Sequence, residues 1–144
     1  MLNPLQFRSY YSTGEWNYID VDLYNPSISG GYYEAALTLP HGATITKVVL
    51  YSLDQDTKDI KLDMFVCRVA ASDSCNVMAS IVSDGTAIAY RYFSETVINY
   101  PIVDNQIYSY FVEVSIPGGA GQNLRLSAVR IDYDYPAYLP VVTR

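Results

Sequence analysis

Gln106-Ile107-Tyr108-Ser109-Tyr110-Phe111-Val112-Glu113-Val114-Ser115-Ile116 is the run that decides the fold. Tyr108, Tyr110, Val112, Val114 and Ile116 recur at a period of two and so share one side of an extended chain. Residues 59–70 repeat the device, with Ile60, Leu62, Met64 and Val66 on one face. Working outward, residues 17–23 alternate as well. Ile19, Val21 and Leu23 are expected to point one way and Tyr18, Asp20 and Asp22 the other, in one half-buried strand. Residues 32–39 read as a strand stopped by Pro40-His41-Gly42, and residues 43–53 are β-branched and aromatic throughout. Residues 76–83 end at Asp84-Gly85, a hairpin dipeptide, so residues 86–93 are expected to pair back on them. Residues 95–103 are extended but interrupted by Pro101, which suits an edge or a passage between sheets. Residues 124–133, after a Pro-Gly-Gly loop, form the last strand.

Strands at this spacing with no helical period specify an all-β chain, a sandwich or barrel of about eight or nine antiparallel strands. A jelly-roll-like sandwich is the first choice, because the strands fill two sheets. An immunoglobulin-like sandwich would want a central Trp between distant cysteines, and Trp16 precedes both. Composition agrees. Val, Ile, Tyr, Phe, Trp and Thr together exceed a third of the 144 residues, while Glu and Lys are scarce. Charged residues are 17% against 50% hydrophobic, which excludes a disordered chain. The formal net charge of −6 repels phosphate and excludes nucleic acid as a partner. Residues 35–46 are the longest stretch free of Asp, Glu, Lys and Arg, too short for membrane insertion as a helix. The length sets one domain, residues 15–133, between an N-terminal arm, 1–14, and an extended C-terminal tail, 134–144.

The two cysteines flank a small, polar turn. Cys67 and Cys75 are expected to close a hairpin as a disulfide, the alternative being two buried thiols in a reducing compartment. Scarce lysine and abundant Tyr and Ser favour the oxidised pair and a secreted or cell-surface chain. The first residues carry no basic segment followed by an apolar run. Export is therefore expected by another route or after loss of a leader.

Catalytic chemistry finds little to use. His41 stands alone in a turn, so no base–nucleophile pair and no zinc site can be composed. Gly118–Gly121 opens no helix and precedes no lysine, so it is a turn and no phosphate cradle. The chain is read as no enzyme, with no cofactor except calcium as a candidate. Asp54, Asp56 and Asp59 lie within six residues of one loop, and calcium takes carboxylate oxygens on flexible loops. The bland reading is that Asp is a favoured turn residue.

Ten of the fifteen tyrosines fall in the clusters Tyr10-Tyr11, Tyr32-Tyr33, Tyr90-Arg91-Tyr92, Tyr108-Ser109-Tyr110 and Tyr133-Asp134-Tyr135. A tyrosine ring suits interfaces and sugar-stacking platforms, and in each adjacent pair one ring must face outward.

Ala36-Leu37-Thr38-Leu39-Pro40-His41-Gly42-Ala43-Thr44-Ile45-Thr46-Lys47-Val48-Val49 resembles a pattern in uncharacterised exported bacterial proteins: a strand, a Leu-Pro-x-Gly-Ala-x-Ile-Thr turn, and a second strand. The resemblance extends over residues 32–133 and implies a secreted β-sandwich without implying an activity. Two functions follow as expectations. The first is an extracellular structural subunit that self-associates into a homopolymer or filament, with Leu2, Leu5, Phe7, Leu139, Val141 and Val142 in the subunit contacts. This requires apolar tails lent to a neighbour instead of packed on their own domain. The second is a module that binds glycan or a cell surface through exposed tyrosines, as a virion or phage-tail component also could.

Overall fold

The computed structural model describes residues 1–10, 16–70, 74–86 and 88–135. Ten strands run in chain order: β1 (Arg8–Ser9), β2 (Asn17–Ile19), β3 (Asp22–Tyr24), β4 (Gly31–Leu37), β5 (Thr44–Asp54), β6 (Lys61–Arg68), β7 (Cys75–Val82), β8 (Arg91–Glu95), β9 (Tyr108–Ile116) and β10 (Leu124–Asp134). They build two five-stranded sheets, β1-β4-β9-β6-β7 and β2-β3-β10-β5-β8, in which every ladder is antiparallel. From β3 onward the chain changes sheet at every connection except β6 to β7, so the sandwich is jelly-roll-like.

The alternation read from sequence becomes the core. Leu62, Met64 and Val66 of β6 and Tyr110, Val112, Val114 and Ile116 of β9 face Ile45, Val48 and Leu50 of β5 and Leu124, Leu126 and Val129 of β10. Each such side chain contributes roughly 1.5–3 kcal/mol on burial, before the entropy of ordering is subtracted. Polar clamps hold the strand ends. Ser83 donates to Asp54 and accepts from the Ile60 amide, joining the ends of β5, β6 and β7. Buried Asn25 donates to the carbonyls of Ser29 and Ile116 and accepts from Ser27, fixing the loop before β4 against the end of β9. That loop lies so close to Gly118 that a Cβ there would strike the Ile28 carbonyl, so only glycine fits.

The fold differs from the expected pattern in four places. Residues 17–23 are two short strands and not one, because Asp20 sits at φ 58° and turns the chain, placing Val21 at an exposed tip. Asp tolerates that left-handed conformation, which the hydrophobic pattern does not register. The hairpin expected of residues 86–93 is replaced by another pairing: Arg91–Glu95 joins β5 and not β7. The chain leaves Asp84-Gly85 for the other sheet, where β8 pairs with β5. Among the described residues the strand count rises to ten, the added pieces being two or three residues long. Finally, the N-terminal arm is part of the sandwich. Leu2 bridges to Val129, β1 pairs with β4, and Leu2 and Phe7 are 8% and 3% exposed. The apolar surface of those two side chains, expected in subunit contacts, is covered by their own domain, which leaves little of it for a neighbour. Leu5 is 62% exposed. Leu139, Val141 and Val142 lie outside the described residues.

Candidate functional site

The register of the second sheet decides which side chains reach its outer face. Val48 and Leu50 of β5 point into the core, so Val49 and Tyr51 point out. Across the ladders, Tyr51 faces Tyr92 of β8 on one side and Ala128 of β10 on the other, and Val49 faces Arg130. The Tyr51 and Tyr92 rings lie 6.2 Å apart and are tilted by 46°, so they form a wedge and not a flat pad. The Arg130 guanidinium sits 5.8 Å from the Tyr51 ring centre, within cation–π range, while ion-paired to Asp132 at 2.9 Å. Between Leu126 and Ala128 the β10 register slips, and Ser127 falls in that bulge. Its hydroxyl oxygen is buried with no hydrogen-bond partner among the described residues.

Two walls turn this face into a groove. The β2–β3 turn supplies Asp20 and Val21 on one side. The segment entering β8 supplies Tyr90, whose hydroxyl donates to Asp22 Oδ2 at 2.5 Å and anchors the wall to β3. That hydrogen bond, then burial and the Asp22 charge, hold the Tyr90 phenol above its ordinary pKa, against a smaller opposing effect of Arg125. The groove is open to solvent, has a volume of about 390 Å³ and is lined by the three tyrosines, Arg91, Ser127 and the acidic turn. Tyr90 and Tyr92 remain 55% and 67% exposed. An apolar, aromatic floor with a few convergent polar groups is the usual make-up of a small-molecule site.

Of the tyrosine clusters, Tyr90-Arg91-Tyr92 enters this groove; Asp20, Asp22, Tyr51 and Ser127 carried no warning in sequence. Their gathering depends on a tight turn and a bulge. Elsewhere Tyr33 is buried, which raises its hydroxyl to about 12, while its neighbour Tyr32 faces out. Tyr110 is buried and accepts from the Asp104 amide.

The cysteines pair as expected. Cys67 and Cys75 stand opposite each other in the β6–β7 register and are joined by a disulfide. The three aspartates of the 54–59 loop are not gathered. Asp54 is buried and accepts from Ser83 and the Asp56 amide, and Asp56 accepts from the Lys58 amide. Among the described residues no group of three His, Cys, Asp or Glu is placed to hold a metal ion. His41 is exposed and accepts from the Asn105 amide, serving its turn.

No family model and no curated protein matches the chain. Among solved structures it is similar to one described as "CBM4 structure and function", at 14% identity, over 91% of this chain and 96% of that one, with a TM-score of 0.49.

Proposed function

We propose that this chain is a non-catalytic glycan-binding module of the cell exterior, with the tyrosine-walled groove as its sugar site. The observation that carries the reading is the tilted pair of Tyr51 and Tyr92 on the groove floor, with Tyr90 and Tyr92 more than half exposed beside the acidic turn. A sugar ring presents apolar C–H faces and a rim of hydroxyls. The rings cover the faces, and the exposed Asp20 carboxylate and Arg91 guanidinium that line the groove meet the rim. The disulfide fits an oxidising compartment, where such bonds persist.

Self-association keeps less support, since Leu2 and Phe7 are spent on their own core. The direct test is retention of the protein on a panel of polysaccharides and on a glycan array, beside a Tyr51→Ala, Tyr92→Ala double variant. Binding that the double variant loses while it melts as a folded protein supports the groove. Parent protein that binds no glycan, or a double variant that binds undiminished, sinks the assignment.

A further inference from the structure

We infer that Tyr90 is a positioning residue of the groove: its hydrogen bond to Asp22 holds in place the edge strand that presents Arg91 and Tyr92 to a ligand. This deepens the carbohydrate reading above and rests on it. β8 lies at the end of the second sheet, where its strand partner is β5. Its far end is closed by Glu95, which accepts from the Thr96 and Val97 amides at 2.8 and 2.7 Å. Its entering end, Tyr90-Arg91-Tyr92, carries two of the groove's three tyrosines and its arginine. An end of a short edge strand, paired on one side, opens locally at small cost unless something else ties it down.

Side chains supply ties of unequal worth. Gln55 donates to the Ile88 carbonyl at 3.3 Å and Arg91 to the Asp84 carbonyl at 3.1 Å, both in exposed positions where water competes. The Tyr90 hydroxyl donates to Asp22 Oδ2 at 2.5 Å, and Asp22 is only 6% exposed. A hydrogen bond to a carboxylate is roughly twice as strong as one between neutral groups. It also reaches farther. Asp22 belongs to β3, and β10 and β5 lie between β3 and β8, so the Tyr90 side chain ties the groove's two walls together across its floor. Leu53 of β5 records the same closure. It points outward as Tyr51 does and stands level with Tyr90, one position beyond the Arg91–Ser52 pair, yet it is 3% exposed. Without the tie, each ligand would have to order the entering end itself, and affinity would fall by the cost of that ordering. Asp22 has little surface of its own to offer a ligand, so its removal acts through Tyr90.

The experiment is a double-mutant cycle in the intact protein, read by affinity electrophoresis in gels containing a soluble glucan, xylan or mannan. Tyr90→Phe keeps the ring and removes the tie from one side; Asp22→Ala removes it from the other. Each is expected to bind about fivefold more weakly than the parent, and the double variant about as weakly as either one, since the two changes break the same bond. Asp22→Asn keeps an acceptor and should recover most of what Asp22→Ala loses. Hydrogen exchange supplies a readout that needs no ligand: amides of residues 88–92 should exchange faster in Tyr90→Phe and Asp22→Ala, while those of β6 and β9 keep the parent's rates and report an intact fold. Tyr90→Phe binding within about twofold of the parent, losses that multiply in the double variant, or unchanged exchange at 88–92 overturns this inference and leaves the carbohydrate reading standing. A parent protein that none of the three polymers retards, and that binds no other glycan, takes down the carbohydrate reading and this inference with it.

Discussion

The two outer faces of the sandwich are built from the same kind of strand and end in opposite surfaces. On the second sheet, a hairpin and an anchored tyrosine rise at the edges, and a groove forms between them. On the first sheet, Phe65 and Phe111 stack at 4.9 Å with planes 14° apart, beside a row in which Arg8, Glu34, Glu113, Asp63 and Ser80 stand abreast on five strands. Lys61, next to that row, pairs with Asp63 at 2.7 Å. The difference teaches that aromatic content alone does not make a site. The first face stacks its rings nearly parallel on one another, whereas the second tilts Tyr51 against a Tyr92 that stays 67% exposed beside the groove.

Breaking the first face should cost stability and leave binding intact. The largest effect is expected at the disulfide, which crosses the edge of that sheet. Replacing both Cys67 and Cys75 by Ser removes a closure between residues 8 apart in sequence. The expected loss is about 2–3 kcal/mol of unfolding free energy, measured by urea titration. A loss well under 1 kcal/mol would show that the hairpin is held by its ladder alone. Next comes Phe111→Ala. The ring is half-buried and stacked, so roughly 2 kcal/mol is expected in the same titration, with glycan affinity unchanged. Weakened binding in a variant that is still folded would mean that the first face, and not the groove, meets the sugar.

The second face should behave the other way round. Tyr92→Ala removes an exposed ring, so the midpoint of unfolding should shift little. Glycan affinity should fall about tenfold, equivalent to about 1.4 kcal/mol. Equal affinity in the variant and the parent would remove the wedge from the account.

This contrast also separates what the residue pattern could reveal from what it could not. The faces of β6 and β9 were legible because a period of two is written directly in residues 60–66 and 108–116. The disulfide was legible because two cysteines bracket a short polar turn. The groove was not. Val21 continues the alternation of Ile19 and Leu23 perfectly, yet Asp20 turns the chain between them, and one residue's φ decides whether a wall exists. Likewise Asp84-Gly85 suggests a local hairpin, but the open edge of β5 pairs with residues 91–95 and carries Tyr92 to its partner Tyr51. Sites built from long-range pairing leave no local mark.

The smallest expected effect concerns the acidic row of the first face, which has no counterpart in the groove. Burial first, then the charges of Glu34 and Asp63, raise the Glu113 carboxyl above its ordinary pKa, with Lys61 opposing; burial also raises Glu34. Arg8 stands across from Glu34 at the outer end of the row. A carboxyl whose folded pKa is raised binds protons more readily in the native state than in the unfolded chain. Its contribution to stability is therefore full below the unfolded value and is lost as pH rises through the folded one. The row should make the protein melt at a higher temperature near pH 5 than at pH 7. Glu113→Gln keeps the shape and removes the central charge. Like charges directly opposite one another across strands cost a few tenths to about 1 kcal/mol, so this variant should gain that much at pH 7 and little at pH 4. The slope of melting temperature against pH should flatten accordingly. A variant that melts lower than the parent at pH 7, or that keeps the parent's slope, would show that the row is solvated well enough for its charges not to matter.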